Sequence, residues 1–129
     1  MAVFWAATSP TTGSFVPAEQ DDYDGLIARF GELRDQGQGY LEVRGDAQFP
    51  LLTLGFRGER GVVQLVSDEA TTALLVADPS ATKDAEVLVI DDFVEFASEF
   101  VLSLDRAWQV IDKFARGGDP AQVGEWWDS

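Results

Sequence analysis

Between Leu51 and Val66 the chain reads LLTLGFRGERGVVQLV. Leu52, Leu54 and Phe56 stand at alternate positions, so only an extended strand puts all three on one face. Arg57-Gly58-Glu59-Arg60-Gly61 is a short polar break of the kind that closes a hairpin, and Gly61–Val66 returns as the paired strand. Tyr40–Arg44 alternates in the same way. The three runs therefore predict an antiparallel meander, and any fold for this chain must be built around it.

The flanking segments fill in an α+β domain with an antiparallel sheet of about six strands and two main helices, spanning residues 1–129 as one unit. Ala2–Ala7 reads as a first strand and Thr8–Pro17, rich in Ser, Thr, Pro and Gly, as a loop. From Asp22 to about Asp35, Leu26, Ile27, Phe30 and Leu33 share a helical face, with Asp21 or Asp22 as N-cap and Gly37-Gln38-Gly39 as the stop. Thr72–Ala77 and Glu86–Ile90 read as strands on either side of a loop at 79–83. Ser103 opens a second helix, in which Leu104, Ala107, Trp108, Ile111, Phe114 and Ala115 form an apolar stripe that ends at Gly117-Gly118. Val123–Asp128 reads as a last short strand. Its adjacent Trp126 and Trp127 must face opposite sides.

Charge narrows what such a domain can touch. Twenty-three acids against nine bases give a net charge of −14, which disfavours nucleic acid and anionic membrane as direct partners and favours a basic protein. The field is uneven, since residues 62–104 hold nine acids and one base. High net charge also serves solubility alone. The N-terminal segment has neither the basic flank of a signal peptide nor the length of a membrane span, so the expected compartment is the cytosol.

Catalytic chemistry is mostly excluded. With no histidine and no cysteine there is no imidazole base, no Ser-His-Asp relay and no thiolate, and the commonest metal ligands are missing. Asp21-Asp22-Tyr23-Asp24-Gly25 fails the register of a calcium loop at both ends. Gly55, Gly58 and Gly61 match neither a dinucleotide loop nor a P-loop, and turn chemistry accounts for them. A pair of carboxylates acting as a hydrolase stays possible. The expectation is a chain that is not an enzyme and has no cofactor and no metal.

One stretch stands out, Asp91–Phe100, DDFVEFASEF. As a helix it would gather Phe93, Phe96, Ala97 and Phe100. As a strand it turns Val94, Phe96 and Phe100 one way and Phe93, Glu95 and Glu99 the other, and its Phe and Val content favours the strand. That places carboxylates around one outward aromatic ring. The predicted contact surface is Asp91, Asp92, Phe93, Glu95 and Glu99, widened by Asp68, Glu69, Asp84 and Glu86. The same residues also fit a solvated sheet face with Phe93 in the core.

The C-terminal thirty residues, FVLSLDRAWQVIDKFARGGDPAQVGEWWDS, resemble the C-terminal pattern of the Imm1 family of bacterial immunity proteins, which accompany polymorphic toxins. The pattern's Ala, Phe, Gly, Pro, apolar residue and Trp fall on Ala107, Phe114, Gly117, Pro120, Val123 and Trp126. The family's Trp stands five residues after the Pro, a position held here by Glu125; a bulge or an extra residue at Gly124 accounts for the shift, and either Trp126 or Trp127 can fill the family's structural position. The upstream order, a helix and then a meander in which YLEV leads to PLLTLGF, is also similar. The resemblance implies an inhibitor of a cognate toxin with a basic surface, chiefly of the deaminase superfamily that acts on nucleic acids or nucleotides. It leaves the oligomeric state open. The other functional reading is an acidic interaction module, such as a secretion chaperone or a nucleic-acid mimic.

Overall fold

The computed structural model describes residues 3–77 and 83–128. The fold is α+β, as the periodicity predicts. In chain order the elements are β1 (Phe4–Thr8), β2 (Phe15–Gln20), α1 (Tyr23–Gln36), β3 (Gln38–Arg44), β4 (Leu51–Arg57), β5 (Arg60–Asp68), β6 (Thr71–Leu75), β7 (Ala85–Val89), β8 (Asp92–Phe96), β9 (Leu102–Ser103), α2 (Leu104–Ala115) and β10 (Trp126–Asp128). The meander is there: β3 pairs β4 from Gln38↔Arg57 to Arg44↔Leu51, and β4 pairs β5 from Leu51↔Val66 to Arg57↔Arg60.

Seven strands run in the order β10-β6-β5-β4-β3-β1-β2, and β9 adds to β5. Both helices cover one face of this sheet. Leu52, Leu54 and Phe56 are buried there with Trp5, Leu41, Val43, Leu26, Phe30, Leu33 and the α2 stripe. The helices meet through Phe30 and Trp108, whose rings stack 4.2 Å apart and nearly parallel. Arg34 of α1 then joins Glu59 of the β4–β5 turn and Asp105 at the start of α2.

Local signals close the helices. Gly37, at φ +88°, donates its N–H to the carbonyls of Leu33 and Arg34 and so ends α1. The Ser103 Oγ accepts the Arg106 N–H at 3.2 Å and starts α2. The expected Asp cap of α1 differs in detail: Asp22 occupies the N-cap position but its side chain makes no capping bond, while its carbonyl accepts the Trp5 indole N–H at 2.8 Å.

Three expectations need correction. Residues 15–17, read as loop, open strand β2; it is an exposed edge strand, so neither face carries the apolar alternation that marks a half-buried one. β7 and β8 do not join the main sheet but form their own two-stranded hairpin. Gly55 is not a turn residue. It sits in mid-strand, where an added Cβ would lie 2.1 Å from the Leu88 carbonyl oxygen, so its bare backbone lets the β7–β8 hairpin settle on the second face of the sheet. The loop expected over 79–83 falls, apart from Lys83, outside the described residues.

The hairpin closes a second apolar cluster of Val62, Leu74, Val87, Phe100 and Val101, with Phe96, Ala85 and Val89 against it. Gly55→Ala is therefore expected to lower stability by about 1–3 kcal/mol, the usual range for overpacking against atoms that cannot rotate away. Urea unfolding of the variant checks this, and Gly58→Ala, in open space at positive φ, separates crowding from backbone strain.

Candidate functional site

The β7–β8 hairpin pairs Ala85↔Phe96, Glu86↔Glu95, Val87↔Val94, Leu88↔Phe93 and Val89↔Asp92. Residues directly opposite share a face. Phe96 and Val94 thus lie with Ala85 and Val87, toward the second cluster, and Phe93 and Glu95 lie with Glu86 and Leu88. Beyond Phe96 the strand gives way to a single 3-10 turn, Ser98–Phe100, which brings Phe100 into the core.

Phe93 is 44% exposed, so it is not core, but neither is it free. The Arg57 guanidinium lies 4.9 Å from its ring centroid and also pairs with Glu86, Nη1 to Oε1, at 3.0 Å. The register sets Glu86 beside Glu95, a like-charge pair that weakens a hairpin, and Arg57 offsets that repulsion at an exposed site. Val94, expected to point inward, is left exposed because nothing covers the outer strand of the hairpin at that position. Ile90, at the hairpin's tip, is exposed as well.

The predicted acids divide by what their oxygens do. Asp92, Glu95 and Glu99 are exposed on or just after β8, and of these Glu99 also accepts the Ala77 N–H through its backbone carbonyl at 2.6 Å. The Asp91 Oδ1 accepts the Phe15 N–H at 2.7 Å, holding the hairpin tip to the start of β2. The Asp84 Oδ1 accepts the Ser98 N–H at 2.8 Å and ties the two open ends of the hairpin. Both carboxylates shape the site in addition to charging it.

Asp68 and Glu69 stand elsewhere. Asp68 ends β5 and Glu69 opens the β5–β6 turn, Asp68 standing six residues along β5 from Val62, which pairs with Gly55 beneath the hairpin. Six residues of strand span roughly 20 Å. The Asp68 carboxylate accepts the Ala70 N–H at 2.8 Å. That bond, with a further one from Thr71, holds its pKa below the ordinary 3.8.

Of the tryptophans, Trp5 is buried and Trp108 is partly so, against the main core. Trp126 packs inward and donates its indole N–H to the Pro120 carbonyl at 2.9 Å. Trp127, 52% exposed, leans on Phe100 with ring centroids 5.3 Å apart. Among the described residues no three acids converge where a metal ion could be held, and no helix is long and apolar enough to cross a membrane. Compared with known protein families the chain matches none, and no curated protein matches it.

Sequence reasoning passed over Ile90 and Arg57 as parts of this surface and turned Val94 inward, where the structure leaves it exposed. The signal for Ile90 was present in VLVIDDF, an apolar run that meets the acids with no glycine or asparagine between them.

The Asp68 carboxylate also gives a pH dependence with a defined sign. A carboxyl whose folded pKa is depressed binds fewer protons folded than unfolded, so its contribution is present above the ordinary value near 3.8 and is lost as pH falls through the lower folded value. Asp68→Asn is expected to flatten the decline of the unfolding midpoint below about pH 4, measured by thermal melts across that range. An unchanged slope would assign the acid sensitivity to other carboxylates.

Proposed function

We propose that this chain is an immunity protein that binds a cognate bacterial toxin in the cytosol and covers its basic cleft with the exposed acidic side of the β7–β8 hairpin. The observation that carries the reading is the company of charge and apolar surface there. Ile90 at the tip and Phe93 stay exposed, Phe93 on the face it shares with Glu95 and Glu86, and Asp91, Asp92 and Glu99 adjoin them in sequence. Exposed apolar patches with a polar rim are typical of protein contact surfaces. The C-terminal resemblance to Imm1 proteins supports the same reading from independent residues, Ala107 to Trp126, and points to a toxin of the nucleic-acid-directed deaminase kind.

The chemistry follows from the toxin's task. An enzyme that handles a polyanion needs a cationic cleft, and a carboxylate-bearing surface competes for that cleft while speeding encounter. The contact set is Asp91, Asp92, Phe93, Glu95 and Glu99, with Glu86 and Asp84 beside it. Asp68 and Glu69, at the far turn, contribute to the long-range field and not to the contact. The chain needs no catalytic group and no cofactor for this role.

Two measurements test it on the protein recovered with the tagged chain from the producing cells. The association rate is expected to fall about tenfold or more between low salt and roughly 0.5 M salt, because exposed charges are screened beyond about 10 Å at 0.1 M and over shorter distances above it. Glu95→Lys with Glu99→Lys is expected to weaken binding by at least about tenfold and leave the unfolding midpoint within a few degrees of wild type. A flat salt profile together with unchanged affinity would sink the proposal.

A further inference from the structure

Val89 and Asp92 are the last cross-strand pair of the hairpin, so Ile90 and Asp91 form a two-residue loop. Ile90 opens it at φ +58°, the one positive φ at a non-glycine position among the described residues. Two-residue hairpin loops require such a φ, and glycine, asparagine or aspartate supplies it with little crowding. A β-branched side chain in that conformation is crowded by its own backbone. Packing within the chain offsets only part of this, because Ile90 remains 46% exposed.

The tip is nevertheless held firmly. The Asp91 carboxylate is bonded to the Phe15 N–H at 2.7 Å, and the hairpin backbone rests on Gly55. A strained, fixed turn thus presents a large apolar side chain to solvent, at a position where a better turn residue was open to the sequence. Ile90, Phe93 and Val94 make up half of the six large apolar side chains that are most exposed among the described residues. Phe93 lies under Arg57 and Val94 stands on the β8 face shared with the buried Val87, so Ile90, the most exposed of the three, is the one that projects from the tip.

Resting on the reading of the hairpin as the contact surface, we propose that Ile90 is the apolar anchor of that contact. Its occupant is a protein recess rimmed by lysine or arginine. Charge complementarity selects this partner: Asp91, Asp92 and Glu95 flank the anchor, and the whole chain carries −14, so nucleic acid, anionic membrane and a second copy are all repelled. Anchors of this kind, central and desolvated on binding, dominate the energy of protein contacts, while the charged rim governs encounter.

The test compares Ile90→Asn and Ile90→Ala with wild type. Asparagine tolerates positive φ and alanine does not, so Ile90→Asn is expected to raise the thermal midpoint above both Ile90→Ala and wild type by a few degrees. A midpoint at or below that of Ile90→Ala would overturn the strained turn. Against the cationic protein recovered from producing cells, identified by mass and then purified, Ile90→Asn is expected to weaken binding by about tenfold or more, through faster dissociation. Binding to poly-L-lysine, which has no recess, should stay within about twofold of wild type at equal salt, since the charges are untouched. Wild-type affinity of Ile90→Asn for the purified partner, with Glu95→Lys and Glu99→Lys still impaired, overturns the anchor and leaves the acidic contact surface standing. Loss of poly-L-lysine binding in Ile90→Asn would mean that the hairpin itself had moved, and would also overturn it. If neither kind of variant affects the partner, or no cationic protein is recovered, the contact surface and its anchor fall together.

Discussion

The closest approach that organises this molecule is between two backbones, the Leu88 carbonyl and Gly55 in the middle of β4. A side chain at position 55 would hold the hairpin away from the sheet, and the apolar cluster of Val62, Leu74, Val87, Phe100 and Val101 could not close. The main sheet has two faces to cover and only two helices, both lying over the same one. The hairpin is the cover for the other. Because it is narrow, one of its strands is buried by the sheet and the other is left facing out. The exposed acids and the exposed Phe93 ring of β8 are thus a consequence of how the second face is sealed.

The same geometry explains why the hairpin spans so much of the molecule. Its open end is tied by Asp84 to Ser98, near Phe100 and the β6–β10 side of the sheet, and its tip is tied by Asp91 to Phe15 at the opposite edge. Between these points it rests on β4, with Arg57 gripping Glu86 and Phe93 from the end of that strand. Hydrogen bonds from backbone N–H groups to carboxylates are stronger than neutral ones. Asp84 and Asp91 therefore fix the position of the surface that the other acids charge.

The sequence made some of this legible and not the rest, for physical reasons. The meander and both helices were readable because each buries one face, and burial on one face is what writes a period of two or 3.6 into a sequence. β2 wrote no such period, since both its faces are largely exposed. β7 and β8 were readable as strands but not as a hairpin, because Ile90-Asp91 lacks the residues that normally announce a tight turn. Alternation put Phe93, Glu95 and Glu99 on one face; the register keeps Phe93 and Glu95 together, whereas Glu99 lies in the 3-10 turn beyond the strand, where a period of two no longer applies. The separation of Asp68 and Glu69 from that set could not be read, because charge along a sequence does not say at which end of a strand each turn lies. The bond from Phe15 to Asp91 joins residues 76 positions apart, beyond the reach of any local pattern.

The pairing of charges across the molecule divides labour between its parts. Among the described residues the ion pairs of Arg29, Arg34, Arg44 and Arg116 all involve acids outside the hairpin, and Arg57 alone reaches it. Arg57 answers Glu86 and leaves Glu95, its cross-strand neighbour, facing solvent. A cation arriving from outside at Glu95 would relieve the same repulsion that Arg57 relieves from inside. Such exposed pairs are individually weak and are screened by salt, so on the proposed reading they bring a partner in but do not hold it. Holding requires apolar surface withdrawn from water, about 25 cal/mol for each Å². On this hairpin that surface is Ile90 at the tip, with Phe93 on one face of β8 and Val94 on the other. If the proposal holds, the acids set how fast a partner arrives, and the strained tip sets how long it stays.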